Sequence, residues 1–291
     1  MASDQKDIVI IGASRGIGLG FAEYYLQQGH NVAATCRTYT ADCALAQLKE
    51  KYPHTLKVYP NIDITNAESI DILSEQIPHV DLLILNAGIK GGAAAPGTQP
   101  QSNTREELQR AFEVNTKGHN HVMLRFYKKL LHANAAAVYI SSGVSSIPDN
   151  ISGNYHPYRI TKAAGNQMIR NWGLALLEEW EGSLKELPCA FAINAGWVKT
   201  DMGGPHARLT VEESVSKMAN VIARTIDSKK MHGLLTHDGN FLDIYKIPEK
   251  LLPLWPEEKF SREESRGQTP KPENILHKLL SLYYLVANNI P

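Results

Sequence analysis

The sequence lacks the features that mark several large classes of protein. It has three cysteines, Cys36, Cys43 and Cys189, and no C-x-x-C spacing, which argues against a disulfide framework or a zinc ribbon and favours a reducing cytoplasm. It has no run of about 20 apolar residues, so we expect no membrane span. The first residues, MASDQKD, combine neither a basic start nor a long apolar stretch, so we expect no signal peptide.

Neither sign of charge is in excess. The 30 basic and 30 acidic side chains give a formal net charge of zero, which offers no support for a nucleic-acid-binding surface. Hydrophobic residues make up 43% of the 291 positions, enough to bury a sizeable core. We therefore expect a soluble, cytoplasmic protein with small-molecule partners.

Apolar runs alternate with helical patterns along most of the chain. The runs predict seven buried strands, at 7–12, 31–36, 56–63, 80–88, 135–142, 189–196 and 233–239. The first predicted helix covers about Gly16 to Gln28. Continuous apolar strands between helices indicate an α/β fold with a doubly wound parallel sheet of about seven strands, whose ligands bind beyond the carboxyl ends of the strands.

We divide the chain into one domain, residues 1–245, and a C-terminal extension, residues 246–291. The extension holds six of the fifteen prolines. Its last part predicts an amphipathic helix, because apolar side chains recur at helical spacing at Ile275, Leu279, Leu282, Tyr283 and Val286. This stripe predicts packing on the domain or on a second subunit, and we expect a homo-oligomer, either a dimer or a tetramer.

The segment from Gly12 to Gly18 admits two interpretations. Gly12, Ser14 and Gly16 fit the G-x-S-x-G turn of a hydrolase nucleophile, which His237 and Asp238 could complete as a triad. Gly12, Gly16 and Gly18 also fit a glycine turn that lets the backbone approach a dinucleotide pyrophosphate at a helix N-terminus. The turn follows the first strand, where a hydrolase serine is not expected, so the cofactor interpretation is favoured.

The residues after the second strand bear on the choice of cofactor. An NAD site usually has an acidic residue there, whereas this chain has Cys36, Arg37 and Thr38. Arg37 could bind a 2′-phosphate, and Arg15 could approach the same group from the glycine turn. The pattern therefore favours NADP(H) over NAD(H).

A second group of residues points to proton transfer. Tyr158 and Lys162 are four apart and lie on one face of a predicted helix. A neighbouring ammonium favours the phenolate, so we expect the lysine to lower the tyrosine pKa. The fifth predicted strand ends in Ser141 and Ser142, sixteen residues before the tyrosine, where a hydroxyl could donate to a substrate carbonyl.

Taken together, these motifs resemble the short-chain dehydrogenase/reductase family, a group of Rossmann-fold enzymes. The resemblance covers roughly residues 5 to 242 and rests on the glycine turn, LNAG at 85–88, VNTKG at 114–118, ISS at 140–142 with Tyr158 and Lys162, and GWVKTDM at 196–202. Within the family, YRITKAA and GWVKTDMGG are similar to the carbonyl-reductase group related to sniffer and C-factor proteins.

The resemblance implies a role for each matching residue. Tyr158 would exchange a proton with the substrate while hydride passes to or from the nicotinamide. Lys162 would bind the nicotinamide ribose and lower the tyrosine pKa, Ser142 would orient the carbonyl, and Asn115 would hold a water that links Lys162 to solvent. The implied cofactor contacts are Gly12, Ser14, Arg15, Gly16, Ile17, Gly18, Arg37, Thr38, Asp63, Ile64, Asn86, Ala87, Gly88, Tyr158, Lys162, Gly196, Val198 and Thr200.

Some points depart from the family pattern or stay open. Ala195 precedes Gly196 where the family usually has proline, and the long spacing to Tyr158 leaves Ser145 as an alternative to Ser142. His119 and His121 are two apart on a helix and so point to different faces, and we expect no metal site. A cofactor-sensing protein with weak catalysis is the alternative to a reductase of a small carbonyl or alcohol. We expect the substrate pocket to be formed by residues 90–103, 145–156 and 203–209.

Overall fold

The computed structural model describes residues 5–91, 100–228, 234–238 and 241–242. The strands are β1 Asp7–Ile11, β2 Asn31–Thr35, β3 Leu56–Tyr59, β4 Leu82–Leu85, β5 Ala136–Ser141, β6 Cys189–Asn194, β7 Leu234–Thr236 and β8 Phe241–Leu242. The α-helices are α1 Gly16–Gln27, α2 Ala44–Lys51, α3 Ala67–Gln76, α4 Arg105–Phe112, α5 His119–Phe126, α6 His156–Glu179 and α7 Val211–Ser228.

These strands form one sheet in the order β3-β2-β1-β4-β5-β6-β7-β8. The pairings from β3 through β7 are all parallel, which confirms the predicted doubly wound sheet of seven strands. An eighth strand, β8, adds antiparallel to β7 and was not predicted. The order reverses between β1 and β4, and a crevice at such a reversal is where ligands bind in open α/β sheets.

The two faces of the sheet carry two apolar clusters. Ile8 and Ile10 belong to the cluster that includes residues of α1 and α7, whereas Val9 and Ile11 belong to the one that includes residues of α3, α5 and α6. This alternation is the two-residue period of a strand that is buried on both faces. Burying each such side chain contributes roughly 1.5–3 kcal/mol, so these clusters hold the carboxyl edge of the sheet in place.

All seven predicted strands end earlier than their apolar runs suggested, and the reason is clear for β3 and β4. β3 ends at Tyr59, where we predicted strand to Asp63, because Pro60 has no N–H to donate and Asn61 takes a positive φ of 61°. β4 ends at Leu85, and the N–H groups of Asn86 and Ala87 both donate to the Ile11 carbonyl oxygen. The shorter strands leave these segments as loops at the carboxyl edge.

Several predictions fall on residues that the structure does not describe. These are the extension at 246–291, including its amphipathic stripe, and the part of the expected pocket at 92–99. Among the described residues, no helix is both long and apolar enough to cross a membrane.

Candidate functional site

The turn after β1 is built for close backbone approach. Gly12 and Gly16 have positive φ values of 88° and 55°, which favour glycine. A Cβ on Gly12 would lie 2.9 Å from Ala87, and one on Gly18 would lie 2.1 Å from the Gly12 carbonyl oxygen. α1 begins at Gly16, so its free N–H groups and the positive end of its dipole face the turn.

The end of β4 is fastened to this turn. The Asn86 side chain donates from Nδ2 to the Gly12 carbonyl oxygen at 2.6 Å. Two residues on, a Cβ at Gly88 would lie 3.6 Å from the Lys162 Nζ and 3.4 Å from the Asn115 Oδ1. Gly88 therefore lies between the glycine turn and the polar groups of Lys162 and Asn115.

The segment after β6 reaches the same turn from the other side. A Cβ on Gly16 would lie 3.2 Å from the Thr200 methyl carbon. Gly196 has a positive φ of 78°, and Val198 forms an isolated parallel bridge with Leu209 that holds the segment. The structure thus brings the predicted residues of the glycine turn, the β4 end and the segment after β6 together at one edge of the sheet.

The two arginines expected at a 2′-phosphate have different surroundings. The exposed Arg15 donates from Nη1 to the Asp201 carboxylate at 2.9 Å, a partner that the sequence did not indicate. Arg37 and Thr38 are exposed after β2, and β2 is followed by the buried Cys36 and no acid. The positions directly after β2 thus carry no carboxylate, although Asp63 beyond β3 is near enough to Arg37 to interact with it.

Asp63 and Ile64 lie beyond β3. The Asp63 Oδ1 accepts from the N–H of Thr65 at 2.9 Å and from its Oγ1 at 2.8 Å. Partial burial raises the pKa of Asp63, but these two hydrogen bonds and the nearby Arg37 and Arg110 outweigh it and lower that pKa. Ile64 is buried, and its carbonyl oxygen would lie 2.5 Å from a Cβ on Gly118.

Tyr158 and Lys162 lie on one face of α6, as their spacing predicted. The Lys162 Nζ is 5.7 Å from the centroid of the Tyr158 ring and donates to the Ile140 carbonyl oxygen at 2.7 Å. Burial raises the pKa of Tyr158 to about 12, although a hydrogen bond with the Ser142 side chain lowers it. Burial lowers the pKa of Lys162 to about 7.

The two serines that sequence reasoning left open have different surroundings. The Ser142 side chain reaches the Tyr158 hydroxyl. Ser145 is buried, and its Oγ donates to the Ser142 carbonyl oxygen at 2.6 Å and accepts from the Asn166 Nδ2 at 2.8 Å. The Ser145 hydroxyl is thus hydrogen-bonded on both sides within the protein, whereas the Ser142 side chain faces Tyr158.

Asn115 lies in a π-helix, Glu113–Gly118, that joins α4 to α5. Its side-chain Oδ1 accepts from the Ile89 N–H, and its Nδ2 donates to the Ile89 carbonyl oxygen. The same Nδ2 also donates to the Thr161 Oγ1 at 3.0 Å. Its backbone carbonyl oxygen accepts from the Tyr139 hydroxyl at 2.8 Å. Such single turns of π-helix are frequent at functional sites.

Sequence reasoning missed several residues around this group. Tyr139 is the only aromatic residue of β5, and that was the one signal in the sequence. Tyr155, directly before α6, has a positive φ of 59°, and the Lys90 Nζ lies 5.3 Å from its ring centroid. A non-glycine residue in this conformation costs of order 1–3 kcal/mol, and such residues cluster at functional sites.

The structure does not assemble the hydrolase triad. Ser14 is exposed on the glycine turn. His237 packs beside Gly196, and its buried Nδ1 has no hydrogen-bond partner in the described chain. Asp238 instead accepts from the Thr236 hydroxyl. Within the described residues, Asp238 therefore does not bond the His237 Nδ1, as the orientation of a triad histidine through that nitrogen would require.

One group of possible metal ligands comes together within the described ranges, at the amino edge of the sheet. Single ligand atoms of His79, Asp81 and His132 lie within 4.8 Å of one another. The His79 and His132 rings lie against each other at a tilt, with centroids 4.3 Å apart and planes 31° apart. Hydrogen bonds to Asp81 and to the Val80 carbonyl oxygen account for both histidines.

Comparison with known proteins places this arrangement in context. Residues 6–207 match the family described as short chain dehydrogenase. The chain is 33% identical to C-signal of Myxococcus xanthus over 144 residues, which cover 49% of this chain and 80% of the relative. Its fold matches the carbonyl reductase Sniffer of D. melanogaster, with a TM-score of 0.72 and 26% identity over 82% of this chain and 99% of that one. It also matches the NADPH-bound carbonyl reductase from chicken fatty liver, with a TM-score of 0.69 and 29% identity over 82% of this chain and 98% of that one.

Proposed function

The chain belongs to the short-chain dehydrogenase family, and from that premise we propose that it transfers a hydride between NADP(H) and a small carbonyl or alcohol substrate, with Tyr158 as general acid and base. One observation carries the proposal. Ser142, Tyr158 and Lys162 meet at the carboxyl edge of the sheet, beside a glycine turn whose backbone is open to a ligand. The family match supports the oxidoreductase class, and this geometry supports the assignment of the residues.

The residues present fit the cofactor. Gly12, Gly16 and Gly88 leave a cradle that a Cβ at any of them would narrow, and the N-terminus of α1 offers N–H groups to a pyrophosphate. Arg37 would hold a 2′-phosphate, since β2 has no acid at its end. The relative from chicken is bound to NADPH, which supports the same choice here. When bound, the nicotinamide supplies or accepts the hydride.

Tyr158 and Lys162 on α6, with Ser142 after β5, transfer the proton to and from the substrate oxygen. Tyr158 carries a proton at neutral pH because burial raises its pKa to about 12, so its hydroxyl is ready to donate to a substrate oxygen. Once substrate is bound, Ser142 turns its single O–H from Tyr158 to that oxygen and fixes its position. The ammonium form of Lys162 stabilises the phenolate that remains after transfer. The resting site is therefore set for reduction of a carbonyl.

The rim of the site favours a weakly polar substrate. Ile147 and Ile151 are exposed on the loop between β5 and α6, and Trp197 is exposed after β6. These side chains offer apolar contact to a small carbonyl compound. The substrate itself is to be found with a panel of aldehydes and ketones.

The test combines binding with turnover. NADPH and NADH are titrated against the wild-type protein, and oxidation of each is then followed with the carbonyl panel, with Tyr158→Phe as the inactive control. We expect tighter binding of NADPH and turnover of at least one carbonyl. Tight NADPH binding without turnover on any carbonyl would favour the cofactor-sensing alternative, and the absence of NADPH binding would overturn both.

A further inference from the structure

A buried tyrosine contacts the two polar residues behind the site. Tyr139 on β5 is fully buried, and its hydroxyl donates to the Asn115 carbonyl oxygen at 2.8 Å. The Lys162 Nζ lies 4.5 Å from the centroid of the Tyr139 ring, closer than the 5.7 Å to the Tyr158 ring. Tyr139 thus meets the lysine with its ring face and the asparagine with its hydroxyl.

The Lys162 charge has few other partners. Its Nζ donates to the Ile140 carbonyl oxygen, and burial lowers the pKa of Lys162 to about 7. Three titratable groups face it in the described part of the chain: Tyr158 from its own helix, Tyr139 from β5 and His119 from α5. None of these is a carboxylate. The negative face of an aromatic ring is therefore a main source of stabilisation for the ammonium form.

Helix α6 has the space that Tyr139 needs. A Cβ at Gly165 would lie 2.4 Å from the Cζ and Oη atoms of Tyr139, so no larger residue fits while the phenol is in place. Glycine inside a helix costs about 0.5–1 kcal/mol relative to alanine. Gly165 therefore lowers the stability of α6 at the position where the Tyr139 phenol packs against it.

His119 holds the ring from a further side. Its ring meets that of Tyr139 edge to face, with centroids 5.3 Å apart and planes at 77°. Its Nε2 donates to the Ala87 carbonyl oxygen at 2.6 Å, which assigns the proton to that nitrogen. Burial, with a smaller contribution from Lys162, lowers the pKa of His119 to about 3, so it stays neutral. The histidine thus joins the β4 end to Tyr139.

We propose that Tyr139 is a positioning residue for Lys162: its ring stabilises the ammonium charge by a cation–π contact, and its hydroxyl holds the tyrosine in place by donating to the Asn115 backbone carbonyl oxygen. The proposal rests on the proposed function for its catalytic meaning, but the contact itself is a property of the protein alone. Tyr139 touches neither substrate nor cofactor in this assignment and acts through the lysine.

The experiment measures the Lys162 charge directly. The side-chain amines of isotopically labelled lysine are titrated by nuclear magnetic resonance, and Lys162→Met assigns the signal. Replacing the ring in Tyr139→Leu should lower the Lys162 pKa by about 0.4 to 1.5 units, the size expected of a cation–π contact. Tyr139→Phe keeps the ring face and should restore the wild-type value. Phe126→Leu, a similar truncation in the same apolar cluster, should leave it unchanged.

A second pair of variants covers the case in which Tyr139→Leu does not fold. Gly165→Ala pushes a methyl group against the phenol, whereas Gly173→Ala adds one to the same helix, against the Ala190 carbonyl oxygen. Only Gly165→Ala should shift the Lys162 titration and, with it, the alkaline limb of the turnover profile toward lower pH. A Lys162 titration that stays at the wild-type value in every one of Tyr139→Leu and Gly165→Ala that folds overturns the proposal, even if turnover falls. Wild-type protein that turns over no carbonyl would instead overturn the proposed function and leave the titration result standing.

Discussion

Burial raises the pKa of Tyr158, whereas the hydrogen bond with the Ser142 side chain lowers it. The spacing of Tyr158 and Lys162 predicted that the ammonium would lower the phenol pKa, but burial is the larger influence in this structure and the net shift is upward. Burial raises the pKa of Tyr158 to about 12 and lowers that of Lys162 to about 7. The i, i+4 spacing shows that the two side chains share a face but not that both are removed from water.

Removing the Tyr158 hydroxyl should stop proton transfer and leave the fold intact. General acid catalysis is typically worth about 10² to 10⁴ in rate, so hydride transfer in Tyr158→Phe should fall by at least that range. NADPH affinity should change little, because the ring remains. Single-turnover rates with NADPH and an active carbonyl measure this. Near-normal hydride transfer in the variant would contradict the assignment.

The two serines after β5 should differ in their effect on turnover. Ser142→Ala removes the hydroxyl that reaches Tyr158, and the loss of one such donor costs about 10² to 10³ in kcat. Ser145→Ala removes hydrogen bonds to Ser142 and Asn166 and should act mainly on stability, by about 1–3 kcal/mol. Urea denaturation and kcat measured on both variants separate the two effects. A larger loss of kcat in Ser145→Ala would reverse the assignment.

Among the elements, the seven parallel strands were predictable and the connections were less so. The continuous apolar runs identified β1 to β7 because each strand is buried on both faces. β8 is only two residues long, too short to produce a pattern. The π-helix from Glu113 to Gly118 inserts into an otherwise ordinary helical period, so only its backbone hydrogen bonds reveal it.

The residues of the site also divide into those that the sequence predicted and those that it did not. Motifs and spacing predicted the carboxyl edge as the location of the site, the glycine turn, and the shared face of Tyr158 and Lys162. His119 and His121 do point to different faces, toward the Ala87 carbonyl oxygen and toward Asp71. Tyr139 was not predicted, because its contacts with Lys162 and Asn115 join segments that are far apart in sequence.

The loop after β2 should decide between the two cofactors. Arg37→Asp replaces a phosphate partner with a repelling charge, and losing a charge-assisted contact costs about 1.5–3 kcal/mol, or roughly ten- to hundredfold in NADPH affinity. NADH, which lacks the phosphate, should bind as before. Fluorescence titrations with both cofactors check this, with Arg224→Asp on the exposed face of α7 as the matched change of charge. Equal losses for the two cofactors would contradict the role given to Arg37.

For the whole molecule, the neutral His119 makes stability depend on pH. Burial lowers its pKa to about 3, whereas the pKa of a histidine in the unfolded chain is about 6.5. Between these values the unfolded chain binds a proton that the folded protein does not, so the free energy of unfolding falls as the pH drops through this window.

His119→Gln removes the titrating ring and keeps a donor for the Ala87 carbonyl oxygen. Its free energy of unfolding should therefore decline less steeply than that of the wild type between about pH 6 and pH 4, by up to about 1.4 kcal/mol per pH unit. Urea denaturation at a series of pH values measures both slopes. Parallel slopes would show that His119 does not carry the difference.

The pair of Arg15 and Asp201 gives the cleft an internal competitor for anions. The aspartate occupies one of the two guanidinium groups assigned to a cofactor phosphate, and it does so from the segment that carries Thr200. Both side chains are about three-quarters exposed, so the pair is worth at most about 1 kcal/mol and weakens phosphate binding by no more than about fivefold. Added salt weakens the attraction of Arg15 for Asp201 as well as its attraction for the cofactor phosphate. Cofactor affinity should consequently vary less with ionic strength than the charges of Arg15 and Arg37 alone would suggest.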